Sequence, residues 1–319
     1  MKTAIITGIS GQVGSYLAQL LISNGYKVIG TVRLQTPVPI KNLEYLKISD
    51  QVIIERVDLL DRKAVSSIIL KYSPDELYNL AAQSSVALSF KEPFNTLIFN
   101  TNSVLNLLEC IRLLKPDIRF YQASSSEMFG KVNKLPITLE TPMNPVSPYG
   151  VSKLTAYHLV INYRESFNLF CSNGILFNHE SFLRRDNFFI KKVIKDSLLI
   201  KSGKLSELNV GDLSVSRDFG YAPMYVDAIW KMLQLDSPKD YIICSGVSIR
   251  LVDIVEYIFE KLDISKKLIV TNKNLMRPNE IKNIFGDNTK AKTDLEWDYD
   301  ISFFEVLNIL IDNEINLIK

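Results

Sequence analysis

The segment Tyr149-Gly150-Val151-Ser152-Lys153 sets a phenol and an ammonium four residues apart, hence on one face if the segment is helical. A neighbouring positive charge lowers a phenol's pKa from its ordinary value of about 10, so the spacing predicts that Tyr149 acts as a base with Lys153 assisting. Upstream, Ser124-Ser125-Ser126-Glu127 offers a hydroxyl to hydrogen-bond the reacting oxygen and a carboxylate to carry a second proton. Together these groups suit redox chemistry coupled to proton transfer. A lone Y-x-x-x-K also arises on ordinary surface helices, and Ser125 with Glu127 could be no more than a strand-end turn and its cap. The elements that hold them decide between these readings.

The chain opens on a strand, Thr3-Ala4-Ile5-Ile6-Thr7, followed by Gly8-Ile9-Ser10-Gly11-Gln12-Val13-Gly14 and a helical apolar pattern through Tyr16, Leu17, Leu20 and Leu21. Strand, glycine turn and helix in that order let backbone approach a pyrophosphate closely, with the helix N-terminal amides facing it. The spacing is G-x-x-G-x-x-G rather than the commoner G-x-G-x-x-G. Gly8, Ser10, Gly11, Gln12, Val13 and Gly14 are therefore cofactor candidates. A second strand, 27–32, ends in Arg33, where an NAD site usually presents an acidic residue to the ribose. A guanidinium there suits a 2′-phosphate, which predicts NADP, with NAD possible. Val57-Asp58-Leu59 closes a third strand, placing Asp58 and Leu59 at the same edge. A fourth runs into Leu80, Ala81, Ala82, Gln83 and Ser84, whose small members admit a dinucleotide.

Helical patterns near 14–24, 63–72, 95–114 and 149–167 alternate with strands near 51–57, 76–80, 118–123 and 170–176, which predicts an α/β doubly wound parallel sheet. Residues 1–178 read as the dinucleotide-binding domain carrying Tyr149 and Lys153. Residues 179–319 read as a smaller lobe for the second ligand, with some segments returning to the first domain. Within it, 247–262 and the region near 303–314 read as helices, and Lys191 and Lys195 as helix surface. A chain of 319 residues with 47% hydrophobic content can bury a large core. With 37 Lys and Arg against 35 Asp and Glu, the net charge of +2 is too balanced for a nucleic-acid partner. Cys110, Cys171 and Cys244 sit in apolar runs without C-x-x-C spacing and fit reduced core thiols. Only His158 and His179 are present, which argues against a histidine metal site, and no metal is expected. No apolar run reaches the roughly 18 residues of a spanning helix, so no membrane partner and a cytoplasmic location are expected.

The strings TGISGQVGSYL, YNLAAQSSV, FYQASSSEMFG, SPYGVSK, NGILFNHES, RDFG, RPNE and GDNTKAK resemble the extended short-chain dehydrogenase/reductases, and specifically the GDP-mannose 4,6-dehydratases. The resemblance runs over nearly the whole chain. The glycine and Tyr/Lys elements mark only the superfamily, whereas FYQASSSE followed by NGILFNHES marks the dehydratase branch. A related branch, the reductases of the 4-keto product, shares SSE, SPYGVSK and the phosphate-contacting arginines, and is the closest competitor together with epimerases on the same core.

The resemblance implies transient oxidation at C4 of a nucleotide hexose, elimination of water across C5–C6, and hydride return to C6. Oxidation at C4 acidifies the C5 proton. Tyr149 would take the O4 proton, Lys153 hold the cofactor ribose, Ser125 hydrogen-bond O4, and Glu127 take the C5 proton and assist loss of the C6 oxygen. His179 and Arg184 match cofactor contacts. Ser84, Ser126, Asn178 and Lys192 match the sugar-nucleotide site, Arg217 and Arg277 its diphosphate clamp, and Glu280 its ribose. A homodimer or homotetramer is implied, paired through the helices near 95–114 and 149–167, where Val104, Leu107, Leu108, Leu159 and Val160 place apolar groups on more than one face. Departures from the family pattern include Val13 for Asp, Leu34 for a second Arg, Asn95 for Tyr, Ser125 for Thr, and Leu183 and Arg185 in a P-R-R-G loop. Those on the substrate side leave room for a different hexose or base.

Overall fold

The inner strands of the N-terminal half are buried on both faces, so they need helices on both sides. The computed structural model describes residues 1–34 and 40–318. β1 (Thr3–Thr7), α1 (Gln12–Ser23), β2 (Lys27–Val32), α2 (Lys41–Tyr45), β3 (Val52–Arg56), α3 (Arg62–Tyr72) and β4 (Glu76–Asn79) come first. α4 (Val86–Lys91), α5 (Pro93–Leu114) and β5 (Arg119–Ser125) follow. A single 3₁₀ turn at Ser126–Met128 then precedes α6 (Pro148–Phe167) and β6 (Cys171–Leu176). The remainder comprises β7 (Asn178–Glu180), α7 (Phe189–Lys201), β8 (Leu208–Val210), β9 (Ser216–Tyr221), α8 (Ala222–Met232) and β10 (Tyr241–Ile243). It ends with β11 (Ser248–Arg250), α9 (Leu251–Lys261), β12 (Ile269–Thr271), β13 (Asn283–Ile284), α10 (Thr289–Asp294) and α11 (Phe303–Ile318).

Seven strands form one parallel sheet in the order β10-β6-β5-β4-β1-β2-β3. Ala4, Ile6, Val28 and Tyr78 face α1 and α8 in one core, while Ile5, Ile29, Leu77 and Phe120 face α3, α5 and α6 in another. The strand order reverses between β1 and β4, and ligands of doubly wound sheets bind at that point, outside the strands' carboxyl ends. There the Thr7 hydroxyl donates to Asn79 Oδ1 at 2.6 Å and accepts from the Leu80 and Ala81 amides at 3.1 Å. The loop after β4 is thereby fixed against the end of β1.

Beyond β6 the chain leaves this sheet and comes back. α8 packs on α1, and β10 adds to β6 as the sheet's edge strand. The rest builds small sheets: β9 pairs with β7, β11 and β13, and β8 pairs with β12. A third core beneath them is formed by Ile190 and Ile194 of α7, Ile254 and Phe259 of α9, and Val306 and Leu310 of α11.

Three expectations need correction. The helix read from Val247 starts at Leu251, because residues 248–250 pair with β9. Lys191 is buried rather than on the surface: its ammonium is ion-paired with Glu314 of α11 and donates to the Phe182 carbonyl at 2.9 Å. Lys195 does lie outside, paired with Asp186. Val104, Leu107, Leu108 and Val160 are core residues, with Leu159 packed against them, because α5 lies between α3 and α6 within one chain. Among the described residues, no helix is long and apolar enough to cross a membrane.

Candidate active site

Every catalytic, cofactor or substrate candidate read from the sequence lines one of two adjoining cavities at the sheet's carboxyl edge, of about 830 Å³ and about 470 Å³. They meet at Gly8, Gly11, Gln12 and Arg184. Ser10, Arg33, Asp58, Leu59, Ala81 and Gln83 lie on the larger; Leu80, Ala82 and Ser84 lie on both. Val13, Gly14, Ser125, Ser126, Glu127, Tyr149, Lys153, Asn178, His179, Lys192, Arg217, Arg277 and Glu280 line the smaller.

The glycine turn has reasons that can be read atom by atom. Gly8 has φ +70°, and a Cβ there would meet the Ala81 backbone at 3.0 Å. A Cβ on Gly14 would lie 2.5 Å from the Gly8 carbonyl oxygen and 2.8 Å from Ile9 Cα. No side chain caps α1 at Gly11, which leaves its first amides and the positive end of its dipole for an anion. Arg184 stands nearby with its guanidinium 3.6 Å above the Phe188 ring. Its Nε is buried without a hydrogen-bond partner among the described residues, 3.4 Å from a Glu180 carboxylate oxygen. A close-approach turn, uncapped amides and an orphaned guanidinium N–H fit a dinucleotide pyrophosphate. Gln12 locks this turn to the opposite wall, donating to the His179 carbonyl at 2.9 Å and accepting from Ser181 at 2.6 Å.

The proton-handling groups come from three elements. Ser125 ends β5 and its hydroxyl accepts from the Glu127 amide at 3.3 Å, which starts the 3₁₀ turn that holds Glu127. After the loop 129–146, α6 begins with Ser147 as N-cap, accepting from the Gly150 amide at 3.0 Å, and Pro148 in its first turn. A Cβ on Gly150 would meet the Glu127 carbonyl at 2.6 Å. The glycine after Tyr149 is therefore what allows α6 to press against the turn carrying Glu127. One helical turn on, Lys153 donates to the Ala123 carbonyl at 2.8 Å. Asn100 of α5, unmarked in the sequence reading, donates to Ser152 and to the Gln83 carbonyl and accepts from the Gln83 amide, at 2.8–3.0 Å. A polar residue on the buried face of an apolar helix was the available signal.

The expected lowering of the Tyr149 pKa is not found in the protein by itself. Burial pushes the phenol up to about 12; the Ser125 hydroxyl and the Arg184 guanidinium oppose the rise and the Glu127 carboxylate adds to it. Lys153 is turned towards a carbonyl, its ammonium 5.9 Å from the Tyr149 ring centre, and burial brings it down to about 8. Desolvation outweighs the one charge the spacing had suggested. His179 donates Nδ1–H to the Phe177 carbonyl at 2.7 Å, and burial lowers its pKa to about 4, so the ring is neutral near pH 7.

On the lobe side, Arg217 of β9 is buried and donates to the Ser216 and Ile281 carbonyls at 2.8 and 2.6 Å and to Glu280 at 2.6 Å. Arg277 reaches Glu280 at 3.3 Å and Glu127 at 3.5 Å. Lys192 of α7 pairs with Asp196 at 2.7 Å and donates to the Asn209 carbonyl at 3.1 Å. The geometry thus joins a hydroxyl, a phenol, a carboxylate and two guanidiniums in one cleft beside a dinucleotide-shaped groove.

Residues 5–310 match the family model described as GDP-mannose 4,6 dehydratase. The chain belongs to that family. It is 38% identical to the GDP-mannose 4,6 dehydratase of Homo sapiens, with 100% of this chain and 92% of the relative covered. Among solved structures it resembles DesIV (dTDP-glucose 4,6-dehydratase) of Streptomyces venezuelae with NAD and TYD bound, at TM-score 0.88, 18% identity and 97% and 96% coverage. It also resembles RMD of Pseudomonas aeruginosa complexed with NADPH, at TM-score 0.81, 25% identity and 98% coverage of each chain. In the GDP-mannose 4,6 dehydratase family, this chain keeps a seven-stranded parallel sheet and a cleft at the strand-order reversal.

Proposed function

We propose that the protein is a nucleotide-sugar 4,6-dehydratase that converts GDP-mannose to GDP-4-keto-6-deoxymannose. The observation that carries this reading is the placement of Glu127 in the same cleft as Ser125 and Tyr149. A ketone reductase needs only the hydroxyl, phenol and ammonium; loss of water across C5–C6 needs one further proton carrier. The chemistry a bound nicotinamide dinucleotide supplies is reversible hydride acceptance. Tyr149 would act as its phenolate, which the positive charge of a bound oxidised nicotinamide would favour over the buried phenol of the protein alone, and take the O4 proton, with Ser125 orienting that oxygen. Glu127 takes the C5 proton and delivers one to the departing C6 hydroxyl, so water leaves and the carboxylate is restored; the 6-deoxy product then needs the hydride back at C6 and a proton at C5, and the proton taken from O4 by Tyr149 would close that balance. Lys153 and the amides of α1 hold the cofactor, and Arg217 and Arg277 the substrate diphosphate, with Glu280 near the ribose.

NADP is the proposed form of the cofactor. Arg33 lies exposed on the larger cavity, its guanidinium 5.0 Å over the Phe99 ring, where a 2′-phosphate gains a charge-assisted contact. The proposed assembly is a homo-oligomer built on α5 and α6, which expose Phe94, Ile98, Leu105 and Val151; the mass from solution scattering tests it. The decisive assay incubates the protein with GDP-mannose and NADP without reductant. A product lighter by one water is expected, and stoichiometric consumption of NADPH would sink the dehydratase in favour of a reductase. Glu127→Gln should accumulate reduced cofactor and 4-keto-hexose while losing dehydration by roughly 10²–10⁴-fold, whereas Tyr149→Phe should fail at hydride transfer.

A further inference from the structure

Glu127 is not isolated at the chemical end of the cleft. Arg277 lies between it and Glu280, and Glu280 in turn holds Arg217. Two guanidiniums face two carboxylates, so the cluster is neutral. The two arginines are held very differently. Arg217 is buried, with three close acceptors at 2.6–2.8 Å. The Arg277 side chain is 32% exposed and, among the described residues, its charged partners are at the longer distances of 3.3 and 3.5 Å. A diphosphate entering this cluster adds two negative charges, and Arg277 is the cation free to turn to them.

We infer that Arg277 couples diphosphate binding to the proton affinity of Glu127, bridging that carboxylate in the protein alone and turning to the substrate's phosphates in the complex. The remaining charged and titratable groups facing Glu127 do not replace the lost partner. Tyr149 on α6 carries no positive charge in either protonation state. Lys153 donates to the Ala123 carbonyl and is assigned to the cofactor, and Arg217 is anchored by Glu280 and two carbonyls and is assigned to the diphosphate. Arg184, across the cleft, lies 3.4 Å from Glu180 and is assigned to the cofactor pyrophosphate. Losing an opposite charge within about 4–6 Å raises a carboxyl pKa by about 1–3 units, and each unit is about tenfold in proton affinity. Glu127 thus becomes a competent base for the C5 proton once the nucleotide end is seated. A sugar phosphate lacking the diphosphate would leave Arg277 on the carboxylate.

The inference rests on the dehydratase reading, and calorimetry separates the two. Tyr149→Phe protein loaded with NADP is titrated with GDP-mannose at pH about 5.5, in buffers of different ionisation enthalpy, so that binding is seen without turnover. A net uptake of protons per site is expected on binding, because the carboxylate loses its cationic partner. Adding Glu127→Gln should abolish the uptake, and adding Arg277→Gln should shrink it, since the carboxylate is then unbridged from the start. Binding without uptake, or undiminished uptake in either second variant, would overturn the coupling alone. No binding of GDP-mannose at all would overturn the dehydratase reading and the coupling with it.

Discussion

The glycines of the first turn divide two tasks, and alanine at each should separate them. At Gly14 a methyl would sit 2.5 Å from the Gly8 carbonyl oxygen, 2.8 Å from Ile9 Cα and 3.0 Å from the Ile9 carbonyl oxygen, all backbone atoms with little freedom to give. Overpacking of this kind costs about 1–3 kcal/mol, and the closeness of two contacts places Gly14→Ala at the upper end. Alanine regains about 1 kcal/mol of helix propensity inside α1, leaving a net loss of about 2 kcal/mol. At Gly11 the nearest atom is the Gly8 carbonyl oxygen at 3.2 Å, so Gly11→Ala should change stability by less than about 0.5 kcal/mol. A Gly11 methyl would instead occupy space needed for backbone approach to the pyrophosphate. Urea unfolding of the protein alone, paired with NADPH fluorescence titration, reads both effects. Gly14→Ala should unfold earlier. Gly11→Ala should unfold with the wild type yet bind NADPH at least tenfold more weakly. An unfolding midpoint for Gly14→Ala equal to wild type, or undiminished NADPH binding by Gly11→Ala, would refute the assignment of close packing to one glycine and ligand approach to the other.

Arg33→Ala should weaken NADP far more than NAD in the same fluorescence titration; equal losses for the two would remove the 2′-phosphate contact. Lys191→Met leaves Glu314 charged and buried, which costs about 3–5 kcal/mol, while Lys191→Met combined with Glu314→Leu should recover most of that loss in urea unfolding. For His179, burial sets the folded pKa near 4, below the ordinary value of 6.5. As pH falls through that window, the unfolded chain takes up a proton that the folded chain refuses. Stability should therefore drop between pH about 6.5 and about 4 by up to about 3 kcal/mol, and His179→Asn should flatten that part of the profile.

Much of the cleft could be read from the chain because its signals are local. The glycine turn, the residues after β4 and the Tyr149/Lys153 pair each lie within one turn of the strand or helix that aims them, so their order along the sequence nearly equals their order around the cleft. What escaped depends on distant partners. Lys191 looks like a surface residue until Glu314 arrives 123 positions later and buries it. The apolar residues on several faces of α5 looked like an intersubunit seam, but α3 and α6 cover two of those faces within the chain. The Tyr149 phenol was expected to be acidified by Lys153, and only the folded structure reveals that burial is the larger influence. Strands of three residues such as β7, β8 and β10 carry too few positions for a period to show.

The return of α8 and β10 to the large sheet limits how this enzyme can be recombined. A fragment ending near residue 178 would leave β6 as a bare edge and strip α8 from the face that includes Ala4 and Ile6, inviting edge-to-edge association. A chimera meant to exchange nucleotide-sugar preference with a relative therefore cannot be spliced at one junction. It would have to exchange the stretches on either side of α8 and β10 separately, keeping residues 222–243 with the sheet they complete.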